Sequence, residues 1–270
     1  MHSNRLTTIL GWLLLTAGTA AAGPCGVLPE GHARLDTGGR ELSIDSPVRI
    51  PCSGTIRLTQ GTAVLTYARR SNVNEYRPLK RGETVDLSSI ANESAASVSL
   101  DRILAFFQGD RRIEAVAAMS RAGERITGFP YDDVLLPKSD MQLRMLELQG
   151  KGLRVREFLL HPRGMPDQVL LRVDQETDAI VVPASVLAEG KEYGWLAKLS
   201  DGQAFSGKFR TLTRDEARRV ESRLDEIARD PALSDSMRRT LTALTLDQNR
   251  LPWNRDMILA GLAIQEGRKP

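Results

Sequence analysis

Cysteine and histidine are scarce in this chain, whose 270 residues include two Cys and three His. That scarcity argues against a Cys- and His-built metal centre and leaves few imidazoles for general-base work. No CxxC pair and no HExxH, GxSxG or SxxK motif occurs, so the usual zinc, serine-elbow and penicillin-binding arrangements lack their local signatures. Charge of one sign is lacking too: Lys and Arg number 37 against 34 Asp and Glu, a net +3. So small an excess names no polyanionic partner, and no nucleic acid is expected. After the first 22 residues no apolar run approaches the roughly 20 residues of a spanning helix. What is there, 41% hydrophobic against 26% charged residues, is the composition of a folded globular chain of one or two domains.

Residues 1–22 carry Arg5 in a short polar start, an apolar run over residues 6–15, and Ala20, Ala21 and Ala22 before Gly23. This is the pattern of a cleaved secretory signal peptide, with an uncleaved anchor as the alternative and the only expected membrane contact. The expected location is periplasmic or secreted. In an oxidising compartment two cysteines favour a disulfide over free thiols or metal ligation, so Cys25 is expected to pair with Cys52. Such a loop stabilises by about 3–4 kcal/mol in the chain-entropy model.

The expected fold class is mainly β with α. Residues 23–90 alternate short β-type runs with turn residues and read as a small β module, with period two in Ile56 and Leu58 and a turn at 80–83. Between 91 and 128 the period changes: Leu100, Ile103, Leu104 and Phe107 fit one helix face, giving a helical connector. Residues 129–211 are β-rich again. Strands are predicted near 134–136, 142–148, 154–160, 168–173, 179–182, 191–199 and 203–210, the spacing of a β-sandwich.

The tail, 212–270, opens on a capping box in which Thr213 and Glu216 answer each other's amides. Apolar stripes follow at Ala217, Val220, Leu224 and Ile227, then at Leu233, Met237, Leu241 and Leu244, then at Trp253, Met257, Ile258 and Leu262. Three helices are expected, serving either to cap the sandwich or to dock a partner.

Leu187, Gly190, Tyr193 and Trp195 form a Leu-x-x-Gly-x-x-Tyr-x-Trp run, followed by Asp201-Gly202 and a strand ending at Phe209-Arg210. This stretch resembles the tyrosine corner of fibronectin type III-like domains. The resemblance implies an immunoglobulin/fibronectin III-like sandwich in which the Tyr193 hydroxyl bonds upstream backbone while its ring packs inward. The Gly-rich strands at 54–58 and 61–65 resemble FecR-type periplasmic signalling modules. The order of units is similar to that of exported proteins of bacterial envelope signalling systems, which implies a protein partner in the envelope.

Several side-chain groups invite a chemical reading. His2 leaves with the signal segment, so His32 and His161 are the remaining imidazoles, and neither has a partner motif. Residues 202–208 match GxxxxGK, but Phe209 stands where a phosphate loop needs Ser or Thr, and the segment alternates like a strand. Asp174, Glu176 and Asp178 lack the Gly and distal Glu of a calcium loop and read as a charged hairpin tip. Asp132 and Asp133, being adjacent, face opposite ways in a strand and do not form an acid/base pair. Trp195 and Tyr131 are candidates for stacking on a sugar ring. The leading expectation is therefore a non-enzymatic exported binding or scaffolding protein without cofactor or metal. A cell-wall or glycan-binding module comes second and a hydrolase built on His32 or His161 third.

Overall fold

The computed structural model describes residues 24–68, 74–90, 128–136, 140–144 and 153–265. The expected signal segment, nearly all of the predicted connector and the second half of the predicted 142–148 strand lie outside these residues. In the first unit, two 14-residue strands, β1 (Pro24–Thr37) and β4 (Thr55–Ala68), pair antiparallel along their length. The turn chemistry of Gly61 predicts two short strands, 54–58 and 61–65. Instead β4 runs straight through that residue, which bends the strand rather than ending it. Gly61 has φ +82°, and a Cβ there would lie 2.4 Å from the His32 carbonyl oxygen, so only glycine fits the bend. The register with β1 shifts at the same place, between Glu30 and Arg34.

The bend divides the sheet into two halves around one core. On one side of it β3 (Val48–Pro51) joins β1 and β5 (Asn74–Leu79) joins β4. On the other, β2 (Arg40–Ile44) joins β1 and β6 (Thr84–Asp86) joins β4, with a single helical turn, α1 (Leu87–Ile90), following. Cys25, Val27, Leu35, Ile56, Leu58, Leu65 and Val85 are buried together between the halves. The Cys25–Cys52 disulfide lies within this core, its Cα atoms 5.1 Å apart.

Among the described residues, seven strands build the second unit: β7 (Asp133–Leu135), β8 (Met141–Arg144), β9 (Val155–Pro162), β10 (Leu171–Val173), β11 (Ala179–Val182), β12 (Glu192–Leu199) and β13 (Ala204–Thr211). Five form a sheet in the order β10-β9-β12-β13-β7, antiparallel except for the parallel pair β13·β7; β11 and β8 form a second, two-stranded sheet. Period-two burial fills the space between them. Phe158, Leu160, Tyr193, Trp195 and Phe209 come from the larger sheet, and Met141, Leu143, Ile180 and Val182 from the smaller. This is a β-sandwich. Predicted 168–173 shortens to β10 because residues 162–168 are held in turns, with Met165 N–H donating to Pro162 O and Gln168 N–H to Met165 O.

The tail forms α2 (Arg214–Arg229), α3 (Asp235–Gln248) and α4 (Pro252–Gln265). Thr213 and Ser234 cap the first two through their hydroxyls, and Pro252 occupies the first position of the third. The apolar stripes bury against both β units. Ile227, Leu233, Met237 and Leu241 pack on Leu28 and Val64 of the first unit. Ala217, Val220, Leu246 and Leu251 pack with Leu136 and Leu212 of the second. Trp253 enters the sandwich core, its Nε1–H donating to Gly128 O at 3.1 Å.

Candidate functional site

Tyr193 opens β12 with its ring stacked on Phe209, centroids 5.3 Å apart, and its hydroxyl turned back on the preceding chain. There the Ala188 N–H donates to Tyr193 Oη at 2.6 Å, and Thr211 Oγ1 donates to Ala188 O at 2.7 Å. Leu187 is buried beside this corner, and the Gly190 N–H donates to Leu212 O at 2.9 Å. The corner fixes the entry to β12 and contacts the segment from which α2 departs. At that departure Glu216 accepts from the Thr213 amide at 2.9 Å, and Thr213 accepts in return from the Glu216 amide. The Thr213 amide, with Arg210 adding a second hydrogen bond, holds the Glu216 carboxyl down at about 2, against an ordinary 4.5.

Trp195 does not offer a stacking face. It is 1% exposed, its Nε1–H donates to Pro130 O at 2.8 Å, and Phe129 and Tyr131 close on its ring at 5.1 and 5.0 Å. As a sugar-binding candidate it is corrected to a core residue, because two residues on from Tyr193 in a strand it faces the same interior. Tyr131 is half-buried and packs edge-on against Trp195, so the ring that was a second candidate serves largely to cover the first.

The two imidazoles lie in different units. His161 is on β9, its ring lying against Gly194 where a side chain would otherwise stand, with Nδ1 2.9 Å from Pro162 O. It has no carboxylate partner among the described residues. His32 does meet a carboxylate, with Nδ1 2.6 Å from Asp45 Oδ1, but both side chains face solvent, 46% and 79% exposed. Neither ring nitrogen of His32 bonds a hydroxyl among the described residues. Asp132 pairs with Lys208 at 2.9 Å, which takes up the lysine of the GxxxxGK match on a strand, β13. Arg172 pairs with Asp174 at 2.8 Å, so the acidic hairpin tip is charge-compensated in part. No group of three or more His, Cys, Asp or Glu among the described residues could hold a metal ion, and no described helix is long and apolar enough to cross a membrane.

Sequence reasoning missed the junction between the first unit and the tail. Leu28 and Val64 sit on the sheet face opposite the disulfide core, and their local pattern does not say that it is the C-terminal tail that covers them. Tyr76 on β5 lies at its edge under the Arg223 guanidinium, 5.0 Å from the ring centroid, an arrangement that favours a cation over the ring face. Burial and the Asp230 carboxylate beside it push the Tyr76 phenol above its ordinary range. Within the tail, Arg255 and Asp247 form an ion pair 5% and 2% exposed, with Asp256 2.7 Å from the same guanidinium. Such a pair is a positional lock between α3 and α4, costly to break from one side. Comparison with protein-family models finds no match, and comparison with curated proteins finds none.

Proposed function

We propose that this chain is an exported, non-enzymatic binding or scaffolding protein of the bacterial envelope, an accessory of an envelope signalling system. The observation that carries the export part is the buried Cys25–Cys52 disulfide, since such bonds persist in oxidising compartments and rarely in the cytosol. The binding part is supported by what the conspicuous side chains do. Trp195 and Tyr193 are packing residues, Lys208 is paired on a strand, and the His32–Asp45 pair stands in the open. We further read the first unit as FecR-like and the second as an immunoglobulin/fibronectin III-like sandwich. The strand order β10-β9-β12-β13-β7 over β8·β11 and the Tyr193 corner support the latter.

Fractionation of cells expressing the full chain, with thiols alkylated before lysis, tests export: the disulfide-closed species belongs in the periplasmic or secreted fraction, and a reduced cytosolic pool refutes it. Photo-crosslinking residues placed at Met165 and Val181, which are 57% and 47% exposed, test binding in the same cells. A reproducible adduct with one envelope protein supports a scaffold. Absence of any protein adduct from either position, with the chain correctly exported, counts against it.

A further inference from the structure

The connection from β9 to β10 holds an ordered apolar tip in solvent. Among the described residues three large hydrophobic side chains are exposed, Met165 at 57%, Val169 at 43% and Val181 at 47%, and the first two share this one connection. A single exposed apolar residue is ordinary, whereas a cluster marks a contact surface. Two turns that meet at Met165 build the tip. In the first, Pro162 to Met165, Gly164 has φ +77°, the left-handed value that the third position of a type II turn requires, and the Met165 N–H donates to Pro162 O at 3.1 Å. In the second, Met165 to Gln168, Pro166 presets the second position and the Gln168 N–H donates to Met165 O at 3.0 Å. That closure brings the Cα atoms of Met165 and Gln168 within about 7 Å, so Val169 follows close beside Met165. Both ends are tied down: the Arg163 N–H donates to Glu192 O at 3.0 Å and its guanidinium pairs with the Glu192 carboxylate, while the Leu170 N–H donates to Leu160 O at 2.8 Å. A tip held in this way loses little ordering entropy when it is buried. Its open charge is of one sign, because Glu192 neutralises Arg163 whereas Asp167 has no basic partner among the described residues.

We propose that Met165 and Val169 anchor this chain to a protein partner, seating in an apolar pocket of that partner that carries a Lys or Arg at its rim opposite Asp167. The inference rests on the binding reading and adds where the contact is made and with what chemistry. Met165 stands at the apex, where an unbranched, polarisable thioether adapts to an irregular pocket. Val169 widens the apolar contact, and Asp167 between them sets its orientation through a charge at the rim. The same carboxylate is repelled by an anionic lipid surface, and the nearby Arg163 is already paired, so the tip suits a protein pocket rather than a membrane.

Full-length chain carrying a photo-reactive residue at 165, at 169 or, on β11 instead, at 181 is irradiated in the cells that produce it, and adducts are mapped by peptide mass spectrometry. Positions 165 and 169 are expected to capture one and the same envelope protein, through a peptide in which apolar residues lie beside Lys or Arg. With the reactive group at 169, Asp167→Lys should cut the adduct about tenfold and Asp167→Glu should leave it within about twofold, both variants keeping the urea midpoint of the parent. An adduct at 181 alone overturns the proposal and leaves the binding reading in place. An adduct with lipid or with a second copy of this chain, or a yield indifferent to Asp167→Lys, overturns it as well. No protein adduct at any of the three positions, with the chain exported, defeats the binding reading itself, and the proposal falls with it.

Discussion

Two glycines on the β12·β13 hairpin make the same apparent demand for space and should respond oppositely to alanine. Gly207 is directly partnered with Trp195, and a Cβ there would lie 2.6 Å from Cζ2 and 2.8 Å from Nε1 of that indole. Gly194, on β12, would bring a Cβ within 2.4 Å of His161 Cε1. The shorter distance is the less costly one. His161 is the far end of a half-buried side chain and can swing outward, leaving a net change below about 1 kcal/mol. Trp195 has nowhere to go: it is 1% exposed, held by Phe129 and Tyr131, and tied to Pro130 O. Overpacking costs about 1–3 kcal/mol, and pulling the buried indole N–H off its acceptor about 1–3 more. Alanine's smaller unfolded-state entropy returns about 0.4–1. Gly207→Ala is therefore expected to lose about 1–6 kcal/mol, and with about 2–4 °C per kcal/mol the Tm should fall by roughly 2–20 °C. Urea unfolding followed by far-UV circular dichroism, run in parallel on both variants, measures this. Equal costs, or Gly194→Ala the worse of the two, would refute the reasoning that neighbour mobility rather than clash distance sets the penalty.

Other features give their own expectations. Tyr193→Phe leaves the Ala188 N–H without its acceptor and should cost about 1–3 kcal/mol in the same urea assay, with little change in m-value. Opening the Cys25–Cys52 loop, 27 residues apart in sequence, should lower stability by about 3–4 kcal/mol, read as the shift in urea midpoint between native and Cys25→Ser/Cys52→Ser protein. Because the Glu216 carboxyl is held at about 2 in the fold against 4.5 ordinarily, its contribution is full above pH 4.5 and fades as pH falls towards 2. Glu216→Gln should therefore flatten the loss of stability across that window, and an unchanged pH profile would place the acid sensitivity elsewhere. Met237→Ala, at a residue 3% exposed between the tail and the first unit, should cost about 2–4 kcal/mol and speed proteolysis of the β1–β6 unit relative to the sandwich.

The sandwich was legible because its strands keep period two between strong turn residues, so that the pattern around Tyr193 and Trp195 located β12 within one residue at its start. The Thr213–Glu216 box was equally readable, since a cap is a local arrangement. β1 was not. Its 14 residues include Pro24, Gly26, Pro29 and Gly31, which read as turn chemistry, yet Pro29 lies in register with Ala63 inside a long ladder. Gly61 misled in the same way, because a bulge and a turn call for the same residue and differ only in what the next ten residues pair with.

The tail shows why a stripe alone does not tell cap from docking surface. Helical periodicity says that Ile227, Leu233, Met237 and Leu241 must be buried; it is silent on the partner. The partner is the outer face of β1 and β4, where Leu28 and Val64 alternate with the inward-facing Val27 and Leu65. A strand apolar on successive residues is a strand buried on both faces. Val64-Leu65 and Val27-Leu28 were thus the signal in the sequence that something covers the first unit from outside, and the tail's three stripes were the surplus apolar surface available to do it. With Trp253 in the sandwich core at the other end, the tail holds two β units that each have their own core in one orientation. Apolar area taken up in that way is not left to hold a partner, so the binding proposed above would fall to the sheet edges and loops that the helices leave bare.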